Sequence, residues 1–126
     1  LHDEKLTVVG ALQHPFIGKP FAIKRCLGNL VDNALYYGKT ATVFIEDNED
    51  EVCIRVCDQG PGIPVDKMDK VFQPYTRLTP DHSGHPGGMG LGLSIARNIA
   101  RAHGGEVTLS NHIEQGLEAR LWLPRH

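Results

Sequence analysis

Two pairs of strand-like runs, each closed by a polar turn and separated by helical segments, restrict this chain more than any other feature. Residues 40–46 and 51–57 are rich in Val, Ile, Thr and Cys and flank the turn Asp47-Asn48-Glu49-Asp50. Residues 106–110 and 117–123 flank 111–116 in the same way. Ahead of the first pair, Ile23, Leu27, Leu30, Val31, Ala34 and Leu35 recur at helical spacing, with Pro20 suited to the first turn and Gly38 to the C-terminal cap. Ahead of the second pair, Leu91, Ile95, Ile99 and Ala102 line one face of a helix over 91–103, stopped by Gly104-Gly105. The start of the chain reads as strand or loop, residues 65–72 as a short helix, and 73–88 as a long aperiodic loop rich in Pro, Gly, His and Thr. Loops of that length inside a compact domain are usually functional or disordered. Strands arriving as hairpins predict a two-layer α/β sandwich, with a mixed, mostly antiparallel sheet packed on helices. They argue against a doubly wound dinucleotide fold, which needs repeated parallel crossovers.

At 126 residues with 40% hydrophobic content, one domain over 1–126 with a single core is expected. A net charge of −2 gives no electrostatic footprint for nucleic acid or an anionic membrane. No run approaches the about 18 apolar residues of a membrane span, and the first ten residues lack the pattern of a signal peptide. The chain starts at Leu1 without an initiator Met, as a piece of a longer protein would. Cys26, Cys53 and Cys57 cannot all pair within one chain and form no Cys-x-x-Cys, so a reducing compartment is expected and no redox or metal role is assigned to them.

Three stretches carry chemistry. In Asn29-Leu30-Val31-Asp32-Asn33-Ala34, the two Asn side chains lie one helical turn apart on one face. A side-chain amide oxygen is a hard neutral ligand suited to Mg²⁺ that is also bound to substrate phosphates. In Asp58-Gln59-Gly60-Pro61-Gly62-Ile63, a carboxylate ends a strand and glycines follow. An ionised Asp accepts from the exocyclic amine of adenine, and glycines let backbone approach a ring closely. Asp-x-Gly-x-Gly also occurs in plain turns and in calcium loops, but the latter need acidic ligands where Gln59, Pro61 and Ile63 stand. Gly87-Gly88-Met89-Gly90-Leu91-Gly92-Leu93 runs into the second helix, so backbone N–H groups and the positive helix end suit a phosphate. The spacing is neither that of a P-loop nor that of a Rossmann turn. Of seven histidines, His82 and His85 are the obvious pair, but they lack a third ligand at zinc spacing and are read as solvated. Arg77 stands where a guanidinium would pair with a terminal phosphate.

Together, Asn29-Leu-Val-Asp-Asn33-Ala, Asp58-Gln-Gly-Pro-Gly62-Ile, Val71-Phe72-Gln-Pro-Tyr75 and Gly88-Met-Gly-Leu-Gly92-Leu resemble the N, G1, F and G2 boxes of sensor histidine kinases, members of the GHKL (Bergerat-fold) ATPase superfamily. The resemblance runs from about Leu6 to Pro124, where Gly116-Leu-Glu-Ala-Arg-Leu-Trp-Leu-Pro124 is similar to the last strand of that domain. It implies that Asn33 ligates Mg²⁺ and that Asp58 binds the adenine amine, with Gly60, Gly62 and Ile63 walling the base. It further implies that Phe72 and Tyr75 anchor a lid, that Arg77, followed by Leu78, contacts phosphate, and that Gly88, Met89, Gly90, Leu91, Gly92 and Leu93 hold the phosphate tail. Asn29, Tyr36 and Tyr37 complete the expected ATP site, with Asn33 and Arg77 as its catalytic members.

The implied activity is protein-histidine kinase: transfer of the ATP γ-phosphoryl group to a histidine on a separate dimerisation domain, then relay to a response-regulator receiver domain. The implied setting is the cytoplasmic part of a bacterial inner-membrane sensor, homodimeric at full length, with this domain alone monomeric. Asn29 stands where hydrolytic relatives carry a water-activating Glu, which favours kinase over ATPase. Tyr36 replaces a common Lys or Arg near the phosphates, shifting charge compensation to Arg77, and Leu117 replaces a common Thr near the base. His2-Asp3-Glu4-Lys5 is followed by Leu6-Thr7 rather than by the residues of an acceptor motif, so the phosphoacceptor is expected on another segment. A catalytically silent nucleotide-sensing module and a GHKL-type ATPase are the alternatives.

Overall fold

The computed structural model describes residues 6–63, 66, 92–111 and 116–125. Among these, strand β1 (Leu6–Gly10) precedes helix α1 (Pro20–Gly38), the strands β2 (Ala41–Asp47) and β3 (Glu51–Asp58), helix α2 (Gly92–Ala102), and the strands β4 (Glu106–Asn111) and β5 (Leu117–Pro124). They form one sheet in the order β1-β2-β3-β5-β4. β1 runs parallel to β2, and every other pairing is antiparallel. The two expected hairpins are both present, and they join where Ile54 pairs with Leu121. This is the mixed sheet with helices on one face that the sequence predicts.

Alternation along β3 decides which face is covered. Val52, Ile54 and Val56 are buried, as are Leu121 and Leu123 of β5, while Cys53, Arg55 and Cys57 point to the other face. Over the buried side, α1 contributes Cys26, Leu30 and Ala34, and α2 contributes Leu93, Ala96 and Ala100, so the helices meet through small residues. The Cys26 thiol donates to the carbonyl of Ala96 at 3.3 Å. Burial pushes that thiol up to about 11, which keeps it a protonated donor at neutral pH. On the opposite face, Glu118 takes contacts from Arg55 at 3.4 Å and Arg120 at 3.1 Å, and the Arg55 guanidinium lies 4.6 Å over the Phe44 ring.

Helix ends depart from the sequence reading in an instructive way. Gly38 belongs to the last turn of α1, and the left-handed cap is Lys39, at φ 66°, donating its N–H to Leu35. Glycine is needed at 38 for space, because a Cβ there would stand 2.6 Å from Asp58 Cβ. At the end of α2, Gly104 does take the left-handed conformation, and Gly105 N–H reaches back to Ala100 at 2.8 Å. Apart from residue 66, the expected helix over 65–72 and the loop over 73–88 lie outside the described residues.

Candidate functional site

The C-terminal end of β3 is assembled by close backbone approach. Asp58 is 4% exposed, and its Oδ1 accepts the N–H of Gly60 at 2.8 Å and of Leu117 at 3.2 Å. A carboxylate can be buried this way because backbone donors replace its water. Three glycines make the approach possible. A Cβ on Gly116 would come within 1.9 Å of the Asp58 carbonyl oxygen, one on Gly60 within 2.8 Å of the Tyr37 carbonyl, and Gly38 touches Asp58 as already described. Beyond Gly60, Gly62 turns at φ +77° and Ile63 enters the core at 4% exposure. Asn111 then pairs with both backbone groups of Ile63, at 2.9 and 2.7 Å.

Helix α1 lies alongside this end. Tyr36 and Tyr37 stack edge to face, with centroids 4.8 Å apart. Asn33 is buried at 9% exposure. One turn earlier, Asn29 faces the start of α2: a Cβ on Gly92 would lie 3.7 Å from Asn29 Cβ and 4.0 Å from its Cγ. Asn29 Nδ2 is buried and has no hydrogen-bond partner among the described residues. An orphaned buried donor costs free energy unless something outside the protein accepts from it.

Helix α1 therefore runs from the glycine that opens α2, beside Asn29, to the carboxylate at β3, beside Gly38. The structure places Gly60 against Asp58 and the Tyr37 carbonyl, Tyr36 against Tyr37, Gly62 and Ile63 against Asn111, and Gly92 beside Asn29, while Asn33 is buried on α1 between Asn29 and Tyr37. Leu93 packs into the core at 8% exposure. Phe72, Tyr75, Arg77, Leu78, Gly88, Met89, Gly90 and Leu91 lie outside the described residues, as do His82 and His85. No group of three or more His, Cys, Asp or Glu side chains able to hold a metal occurs among the described residues. Amide oxygens on α1 are a different donor class, and the orphaned Asn29 amide fits an oxygen-rich ligand such as a phosphate with its bound Mg²⁺.

Sequence reasoning missed three contributors. Gly38 and Gly116 read as a cap and a turn, and Asn111 read as a turn residue, because their partners lie 20 to 58 positions away in the chain. The signal was present only as glycine itself. Leu117, noted for lacking a polar side chain, supplies its polar contact through the backbone N–H.

A cleft of about 350 Å³ lined by Pro15, Phe16, Ile17, Glu49, His103, Pro124 and Arg125 lies at the opposite end of β3. Its guanidinium is already engaged by Asp47 and by the carbonyls of His14, Pro15 and Asn48. It offers little to an anion.

Comparison with known proteins places the chain in a family. Residues 18–126 match the family described as histidine kinase-, DNA gyrase B-, and HSP90-like ATPase. The chain is 50% identical over 125 residues to sensor histidine kinase GtrS of Pseudomonas aeruginosa, covering 99% of this chain and 26% of that protein. It is 34% identical over 111 residues to sensor histidine kinase CpxA of Escherichia coli, covering 87% of this chain and 24% of that protein. The chain thus spans about a quarter of the length of these relatives. Among solved structures, a mycobacterial sensor histidine kinase, MprB, superposes with TM-score 0.75 at 25% identity, covering 97% of this chain and 80% of that one. The catalytic domain of histidine kinase ThkA gives TM-score 0.75 at 29% identity, covering 95% and 78%. The paired strands with helices on one face are the fold of these catalytic domains, and the chain belongs to the histidine kinase-, DNA gyrase B- and HSP90-like ATPase family.

Proposed function

We propose that this domain binds Mg·ATP and donates its γ-phosphoryl group to a histidine on a separate dimerisation domain, for relay to a response regulator. The observation that carries the reading is α1, which runs from the opening of α2 beside Asn29 to the backbone-seated Asp58 beside Gly38. From Asn29 to Gly38 the helix advances about 13 Å, the scale of an extended nucleoside triphosphate. The base belongs at the Asp58 end, where the carboxylate accepts from the adenine amine and Gly60, Gly62 and Ile63 wall the ring. Phosphates belong at the Asn29–Gly92 end, where the orphaned Asn29 amide donates to oxygen and the N-terminus of α2 favours negative charge. Asn33, between them, holds Mg²⁺ through its amide oxygen. The ion supplies neutralisation of the phosphate charge. Arg77, the backbone amides from Gly88 to Gly92, and a lid anchored by Phe72 and Tyr75 complete the proposed site.

In the transfer step, an imidazole nitrogen of the acceptor forms the new N–P bond while the P–O bond to ADP breaks and its electron pair leaves with ADP. The acceptor is itself the nucleophile, so this chain needs no base to activate water, in keeping with Asn rather than Glu at 29. Its residues position and neutralise charge. The homodimer of the full-length sensor and its place at a bacterial inner membrane belong to the same proposal. Among the described residues no helix is long and apolar enough to cross a membrane.

The test is to mix the chain with the separately produced dimerisation domain and γ-labelled ATP. Acid-labile label on a histidine of the added domain is expected, and Asn33→Ala should abolish it while leaving the melting curve intact. Release of inorganic phosphate with no labelled histidine would replace the kinase reading with an ATPase one. ATP binding without either product would leave a nucleotide-sensing module.

A further inference from the structure

Asn111 ends β4 directly opposite Leu117, the first residue of β5. Its side chain crosses to the loop after β3, where Oδ1 accepts the N–H of Ile63 at 2.9 Å and Nδ2 donates to the Ile63 carbonyl at 2.7 Å. One amide thereby satisfies both backbone groups of one residue. Its orientation is fixed, since only the nitrogen can face a carbonyl. The fit is tight: Gly62 sits at φ +77°, and a Cβ there would stand 2.4 Å from Asn111 Oδ1. Across the hairpin, Leu117 gives its N–H to Asp58 Oδ1. The mouth of a single hairpin thus grips both ends of the 58–63 loop, the carboxylate through Leu117 and the far end through Asn111.

We propose that Asn111 is a positioning residue for base recognition, pinning Ile63 and the glycines before it so that Asp58 meets an adenine ring in one geometry. The inference rests on the nucleotide reading given above. Discrimination between adenine and guanine is a matter of alignment, because a hydrogen bond weakens steeply once its donor swings off line. A loop held at only one end lets the ring slide. The amine-to-carboxylate bond then loses strength, while guanine, whose ring carbonyl opposes Asp58, loses nothing.

The test compares the parent chain with Asn111→Ala and with the isosteric Asn111→Asp, titrating each with Mg·ATP and Mg·GTP and recording a melt without nucleotide. Asn111→Asp keeps the acceptor but turns the donor to Ile63 into a second acceptor, so it disturbs the pairing without changing shape. The parent should prefer ATP. In both variants ATP affinity should fall about tenfold, the order of one ordinary hydrogen bond, with GTP affinity nearly unchanged. A merely structural Asn111 would lower the melting temperature and weaken both nucleotides by one common factor. An ATP-to-GTP ratio equal to the parent's in either folded variant overturns the proposal. A parent that binds neither nucleotide, or binds both equally, overturns instead the nucleotide reading on which it rests.

Discussion

The sheet carries a buried-end aspartate at each extremity, and the two are held in opposite ways. Asp47, at the end of β2, accepts the N–H groups of Gln13 and His14 and is bridged by Arg125 at 2.6 Å. The Gln13 N–H is the main influence holding its carboxyl below the ordinary range, with His14 and Arg125 adding to it against some desolvation. Asp58, at the end of β3, is seated on the N–H groups of Gly60 and Leu117 amid three glycines. At the first end a guanidinium meets the charge and ties the chain before α1 to the chain after β5. At the second, neutral backbone dipoles seat the charge while the surroundings are kept thin by glycine. The difference teaches that a cleft alone is a poor guide: the opening lined by Arg125 lies at the end of the sheet where the fold has already answered the charge of Asp47.

The comparison would break most visibly at Gly116. A methyl there meets the Asp58 carbonyl at 1.9 Å in a left-handed backbone, so Gly116→Ala should cost about 3 kcal/mol or more in denaturant unfolding and remove ATP binding with it. Next comes Asp58→Asn. Its amide oxygen still accepts the two N–H groups, so unfolding should change little, whereas calorimetry should record ATP affinity falling by roughly ten- to a hundredfold, the value of a charge-assisted bond. Arg125→Ala is the mirror image. It should lower stability by about 1–2 kcal/mol and leave ATP affinity within about twofold, because four bonds are lost at the far end of the sheet and none at the site. Weakened ATP binding in that variant would show the two ends to be coupled.

The smallest effect is a titration belonging to neither end. Burial alone would raise the Glu106 carboxyl, but hydrogen bonds from Arg97, Arg101 and the Val107 N–H prevail and hold it at about 2. A carboxyl depressed in the folded state stabilises fully above its ordinary value of 4.5, and that contribution fades as pH falls from 4.5 towards 2. Glu106→Gln should flatten the stability profile in that window, read by denaturant midpoints, with nucleotide affinity at neutral pH unchanged.

Periodicity made the two long helices and both hairpins legible in the sequence, because apolar spacing of 3.6 and 2 reports directly which face meets a core. The strand order was less legible. Nothing local in Leu6–Gly10 announces a parallel edge strand, and the junction of the hairpins depends on β3 meeting β5 across more than 60 residues. At the site, Asn29, Asn33, Asp58 and the glycines stood out as residue types poorly suited to ordinary helix or strand interiors. Asn111 and Gly38 did not, since an Asn near a turn and a Gly at a helix end already have local explanations. Their use comes from contacts that only the folded chain creates.

Amide hydrogen exchange on the parent chain, free and saturated with Mg·ATP, tests the account most directly, since it reports both ends of the sheet in one experiment. The account predicts slowed exchange at Gly60, Ile63 and Leu117, with no change at Gln13 and His14. Equal rates with and without nucleotide at the first group, or protection confined to the Asp47 end, would contradict it.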